Sequence, residues 1–269
     1  MGTTEARGLL RPARMLARRQ ARGAAIVIGL PLGVVVVGRS GRGPANVRDN
    51  LVVGDPSMAA TPKLRGWLHA GMAPLVATGG IVLVCLAPAG RARDSVIIYA
   101  IAGLLLFTTS AVYHRGSWTP VMEGALRRAD HANVYLLIAG TYTPVAVLGL
   151  PTPTDGRLLL VIWIATAVGV VFRFTWPGAP RALYTALYIG LGWSLLPVVN
   201  QLLHRAGVTV FVLILIGGLC YSAGGAVYAL KRPNPSPEWF GFHEVFHSLT
   251  ISGWATQYAA ISILVYRLR

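Results

Sequence analysis

Seven long apolar runs follow one another from Gly66 to Tyr266, and they restrict the possible folds more than any other feature of the sequence. Each run has close to the roughly 20 residues that a helix needs to cross the hydrocarbon core of a bilayer. Hydrophobic residues make up 54% of the 269 residues and charged residues only 12%. The predicted spans are residues 66–87, 96–113, 131–150, 158–174, 182–200, 206–230 and 242–266. The sequence therefore predicts an all-α, polytopic membrane protein built as a bundle of seven transmembrane helices.

The basic residues of the chain are concentrated between the apolar runs. The formal net charge is +15, but basic loops between membrane spans are typical of a positive-inside topology rather than of a nucleic-acid surface. Eighteen of the 24 Lys and Arg residues lie on one side, in the N-terminal segment, in the even-numbered loops or, for Arg173, at the end of the span that leads into one of those loops. We therefore predict a multi-pass integral membrane protein with a cytoplasmic N-terminus and no nucleic-acid partner.

Residues 1–61 form a basic leader that we expect to be a poorly ordered extension of the membrane domain, residues 62–269. The one apolar run of the leader, Ala24 to Gly38, contains Pro31 and is too short to span a bilayer comfortably. No small-residue cleavage site follows it, so we predict neither an eighth span nor a cleaved signal peptide. Met58 lies just ahead of the first span, which suggests the hypothesis that residues 1–57 result from an upstream start.

The last apolar run opens with two histidines, His243 and His247, four residues apart. On a helix they lie on one face, one turn from each other, so both can bind one metal ion. With Glu244 they also match the HExxH pattern of zinc proteases, in which the glutamate acts as general base. No Asp, Glu or His follows His247, so a third ligand must come from an earlier span, which favours a three-histidine site over a protease.

The predicted topology brings three further polar residues to the depth of these histidines. Ser110 and His114 end the second span, and Asp130 opens the third at the same side of the membrane. Three neutral imidazoles and one water form a tetrahedral zinc site with an open position, where water becomes a nucleophile near neutral pH. We therefore predict that His114, together with the two histidines of the last span, binds Zn2+. Asp130 is predicted to direct the water and Ser110 to support the reaction through a hydrogen bond.

These residues, together with the run Gly140-Thr141-Tyr142-Thr143-Pro144, resemble the hemolysin III branch of the progestin and adipoQ receptor family. The resemblance extends from about Pro62 to Tyr266 and covers all seven spans, whereas the leader has no counterpart in it. It implies a zinc ion near the cytoplasmic face, held by His114, His243 and His247, with Asp130 reached through water. It also implies kinship with membrane amide hydrolases of the ceramidase type.

From the residues and the resemblance we expect a zinc-dependent hydrolase of amide or ester bonds in a membrane lipid, with that lipid as the principal partner. The alternative is a non-enzymatic protein: either a membrane sensor in which zinc is structural, or a cytolytic, pore-associated protein. His69 and His131 are expected to contact neighbours or lipid headgroups rather than the metal, and His204 is given no role. The sequence identifies no protein partner.

Overall fold

A computed structural model of the protein describes residues 26–30, 33–37 and 62–269. In the first of two structural units, residues 1–58, strands β1 (Ile26–Leu30) and β2 (Gly33–Val37) pair in antiparallel register, with Leu30 opposite Gly33. Val and Ile dominate both strands, in keeping with their β propensity. Residues 26–30 and 33–37 of the leader's apolar run are thus extended. The remaining predictions for the leader, its poor order and the upstream start, lie outside the described residues.

The second unit is helical. Its helices are α1 (Trp67–Leu86), α2 (Arg91–Arg115), α3 (Pro120–Gly149), α4 (Thr154–Thr175), α5 (Arg181–Gly192), α6 (Val199–Ala206), α7 (Val208–Leu230) and α8 (Phe242–Tyr266). Six segments are long and apolar enough to cross a membrane: α1 to α4, the α5–α6 segment, and α7. The more polar α8 has 25 residues, about 37 Å at 1.5 Å per residue, so it is long enough to be a seventh. The prediction of a polytopic helical membrane protein is confirmed.

Contacts between helix ends show that successive segments run in alternate directions. At one end, the residue before α1, Gly66, packs against His114 near the end of α2. At the other end, Arg91 at the start of α2 forms an ion pair with Asp155 at the start of α4. Arg269, after α8, donates to the carbonyl of Leu86 at this second end. The end of α8 therefore lies beside the end of α1, and the start of α8 beside the start of α1, as a seventh crossing requires. We call the end of the bundle that contains the starts of α1 and α8 the histidine end.

Helix α3 begins earlier than the sequence analysis placed the third span. Its first residue is Pro120, and the side chain of Thr119 caps it by accepting a hydrogen bond from the backbone N–H of Met122 at 3.4 Å. A threonine cap followed by proline at the first helical position is a recognised helix start. Asp130 therefore lies three turns inside the helix instead of opening it, and the prediction that Asp130 opens the third span was wrong in this respect.

The fifth span is broken in the middle. The structure has two helices, α5 and α6, joined by a 3₁₀ turn at Leu196–Val198, where the sequence analysis predicted a continuous span of residues 182–200. The Tyr142 hydroxyl donates to the freed carbonyl of Gly192 at 2.8 Å, and the Trp193 indole donates to the Ser222 hydroxyl at 3.0 Å. Irregular backbone at membrane depth is tolerated where protein groups satisfy it. Here Tyr142 of α3 satisfies a backbone carbonyl, and Ser222 of α7 holds the Trp193 side chain beside the break.

Candidate metal centre

Three histidines from distant parts of the chain converge at the histidine end. His114 comes from the last turn of α2, and His243 and His247 come from the first two turns of α8. Each can offer one ring nitrogen such that the three atoms lie within 4.8 Å of one another. His114 Nε2 and His243 Nε2 are 3.1 Å apart although the residues are separated by 129 positions. The structure thus brings together the three residues that the sequence analysis proposed as metal ligands.

The geometry of this cluster fits a metal ion. Zinc binds imidazole nitrogen at about 2.0–2.1 Å, so two nitrogens on a tetrahedral ion lie roughly 3.3 Å apart. The observed 3.1 Å between His114 Nε2 and His243 Nε2 is close to that separation. His243 and His247 are buried, and an all-imidazole donor set suits zinc, copper, iron and nickel. The cluster can therefore hold a transition metal, and the donor set alone does not choose among them.

Asp130 and Ser110 lie beside the cluster without belonging to it. The Asp130 Oδ2 atom is 4.0 Å from His114 Nε2, beyond direct hydrogen-bonding distance. The buried Ser110 hydroxyl lies next to the Asp130 carboxyl, and both residues line the same cavity. A carboxylate in this position can reach a water or substrate atom placed between it and the histidines.

Glu244 is occupied by contacts that hold the start of α8. Its side chain is completely buried, its Oε1 accepts a hydrogen bond from Arg65 Nε at 2.6 Å, and its Oε2 accepts one from the backbone N–H of Gly241 at 2.9 Å. The carboxylate thereby caps the helix and forms an ion pair. A protease of the HExxH type needs this carboxylate as a base for water. The geometry therefore argues against the protease alternative.

A short segment ahead of α1, Pro62–Gly66, runs from the loop before α8 to His114, and we call it the strap. Its backbone donates to the loop before α8, from Lys63 N–H to the Glu238 carbonyl at 2.9 Å and from Leu64 N–H to the Trp239 carbonyl at 3.2 Å. Gly66 has φ of +78°, and a Cβ atom there would lie 2.7 Å from the His114 Cβ. Glycine is thus required both by the left-handed backbone and by the close approach to a metal ligand.

His131 belongs to a separate polar network. Its Nδ1 lies 2.8 Å from Arg173 Nη2, and its Nε2 lies 3.2 Å from the Tyr228 hydroxyl. Because a guanidinium only donates, Nδ1 is the acceptor and Nε2 carries the proton toward Tyr228. The sequence analysis gave Arg173 no role, although a cation inside a predicted span is itself a signal of a specific partner.

A cavity of about 190 Å³ leads from this end into the bundle, lined mostly by α3, α5, α7 and α8, with Ser110 of α2 also in its wall. Asp130, His131 and His243 line one end, and Val199 and Phe211 line the other. Its wall reaches along α7 from Phe211 to Tyr228, a rise of about 26 Å. Most of the side chains along it are apolar. The shape suits a single hydrocarbon chain whose polar end lies near the histidines.

Comparison with known proteins decides the family. Residues 58–258, well over half of the chain, match the family described as Haemolysin-III related. The chain belongs to this haemolysin III-related family. The resemblance inferred from the motifs is thereby confirmed, and a multi-pass integral membrane location agrees with the apolar helices of the fold.

Proteins similar to this chain come from bacteria and from mammals. Hemolysin-3 of Bacillus cereus is 29% identical over 168 residues, which cover 62% of this chain and 74% of the relative. The Hemolysin-3 homolog of Bacillus subtilis (strain 168) is 29% identical over 175 residues, 64% of this chain and 78% of the relative. The human Monocyte to macrophage differentiation factor is 25% identical over 174 residues, 63% of this chain and 70% of the relative.

Proposed function

We propose that this haemolysin III-related protein is a zinc-dependent hydrolase of amide or ester bonds in a membrane lipid. The observation that carries the proposal is the continuity between the cavity and the histidine cluster, because His243 and Asp130 form the wall at one end. A lipid whose hydrocarbon chain fills the apolar part would present its polar bond to these residues. His114, His243 and His247 would hold the metal.

The residues around the cluster have distinct roles in this scheme. Bound zinc would supply Lewis-acid polarisation of the carbonyl and activation of water. The Asp130 carboxylate accepts the proton of the attacking water and returns it to the leaving amine or alcohol. The Ser110 hydroxyl, beside Asp130, orients that carboxylate. Glu244 takes no part in proton transfer, because Arg65 and the Gly241 N–H occupy its carboxylate.

Release of fatty acid from amide and ester lipids by the purified protein in lipid nanodiscs tests the proposal. Asp130→Asn should lower turnover by about 10² to 10⁴ fold and leave the zinc content unchanged. His247→Ala should lose both zinc and turnover. Asp94→Asn, an exposed aspartate at the opposite end of α2, is the matched control and should behave as wild type. Full turnover by His247→Ala would reject zinc catalysis.

A second candidate is a protein in which zinc is structural. The observation that favours it is the distance along the chain between the ligands, since one ion on His114 and His243 would join the ends of α2 and α8 across 129 positions. The names of the bacterial relatives, Hemolysin-3, also support a cytolytic role. In this case the protein would contain zinc, turn over no lipid, and lose thermal stability on chelation. Lysis of erythrocytes by wild type but not by His247→Ala would support the cytolytic form.

A further inference from the structure

A fourth histidine, His69 in the first turn of α1, packs face to face against the proposed ligand His247. The two ring centroids are 3.7 Å apart and the planes differ by 8°. His69 also meets Phe107 of α2 edge to face, with centroids 4.9 Å apart and planes at 76°. His69 is 2% exposed. The ring of His69, from α1, therefore contacts α2 and covers one face of the His247 ring in α8.

The other rings near His247, those of His114, His243 and Phe246, meet it at tilted angles of 56–59°, so His69 is the ring that lies flat on it within residues 62–269. A histidine that binds a metal through one nitrogen is normally oriented by a hydrogen bond from its other nitrogen. Within residues 62–269, the buried Nδ1 atom of His247 makes no such hydrogen bond. The last torsion of a histidine side chain is broad, so rotation of the ring is restrained only by what packs against it. His69 is the ring that stacks in parallel on it.

We propose that His69 is a positioning residue for the metal centre, which holds the plane of His247 through its ring face. The buried nitrogens of His69 have no hydrogen-bond partner in the described part of the chain. What His69 offers to His247 is therefore a flat surface rather than a hydrogen bond. The inference rests on the proposed metal site and adds to it a residue from α1, which supplies no ligand.

Three substitutions of His69 in the full-length protein distinguish the contribution of its flat ring from that of its ring nitrogens. His69→Ala removes both, His69→Leu restores volume without a flat ring, and His69→Phe restores a flat ring without nitrogen. The measurements are zinc affinity, from competition with a chelator, and the visible spectrum of the cobalt-substituted protein, which reports ligand geometry. His204→Ala, at the opposite end of the bundle, is the matched control and should leave both measurements unchanged.

We expect His69→Ala and His69→Leu to bind zinc roughly 10-fold more weakly than wild type, with a shifted cobalt spectrum. His69→Phe should retain wild-type affinity and spectrum to within about twofold, because an aromatic ring stacks as the imidazole does. A loss in His69→Phe as large as in His69→Ala would overturn the proposal, since a nitrogen would then be required. Unchanged affinity in all three would also overturn it. If His247→Ala itself binds zinc as wild type does, the metal site is refuted and the role of His69 falls with it, whereas the two preceding outcomes refute the role of His69 alone.

Discussion

The ion pair between Arg65 and Glu244 gives the most specific prediction about stability. The Glu244 side chain is fully buried and the Arg65 side chain is only 20% exposed, so Arg65→Met would leave a carboxylate in the protein interior without its cation. Breaking a buried pair in this way costs about 3–5 kcal/mol. For a protein of this size we expect the Tm to fall by about 6–20 °C. Thermal unfolding of the purified protein in detergent, followed by size-exclusion chromatography after heating, measures this change.

The double variant Arg65→Met/Glu244→Gln is the control for the Arg65 substitution. A neutral glutamine oxygen can still accept the hydrogen bond from the Gly241 N–H, and no buried charge remains. Most of the lost Tm should therefore be recovered. A double variant no more stable than Arg65→Met would refute the reasoning. The single variant Glu244→Gln should keep its turnover per bound zinc, whereas a loss of turnover with unchanged Tm would reinstate Glu244 as a general base.

Two backbone features yield further predictions. Gly66→Ala should lower stability by about 1–2 kcal/mol because of its left-handed backbone, and it should also weaken zinc binding, because its Cβ would lie 2.7 Å from the His114 Cβ. Gly71→Ala, where a Cβ meets no atom within 4 Å, is the control for both measurements, and equal behaviour of the two would contradict this account. Tyr142→Phe should cost about 0.5–1.5 kcal/mol, measured by thermal unfolding, because the Gly192 carbonyl at the helix break loses its donor. An unchanged Tm would mean that another group satisfies that carbonyl.

Much of the fold follows from the sequence because a bilayer imposes length and hydropathy on every crossing. The start of α3 could have been recognised from Thr119 and Pro120, a cap and first-turn pair in the loop predicted between the second and third spans. Pro197, which lies in the 3₁₀ turn of the fifth span, predicts a kink there from the sequence. The position of the break after Gly192 could not be predicted, since its freed carbonyl is satisfied by Tyr142 from another helix, a tertiary contact that no local pattern contains.

The histidine cluster follows from the sequence for a simple reason. The spacing of His243 and His247 fixes one helix face, and alternation of the spans places His114 at the same depth. The contacts around the cluster are harder to predict from the sequence, because they join side chains that meet only after the helices pack. Arg65 pairs with Glu244 although the two are 179 positions apart. This ion pair, together with the hydrogen bond from the Gly241 N–H, occupies a carboxylate that the sequence pattern marks as a catalytic base.

The central claim is that three helix-end histidines, remote along the chain, bind one metal ion together. Metal analysis of the purified protein with X-ray absorption at the zinc edge tests this claim most directly, with His114→Ala as the decisive variant. We predict about one zinc per chain, coordinated by nitrogen or oxygen at about 2.0–2.1 Å, and loss of that zinc in His114→Ala. Full zinc content in His114→Ala, or sulfur in the coordination shell of the wild type, would contradict the account.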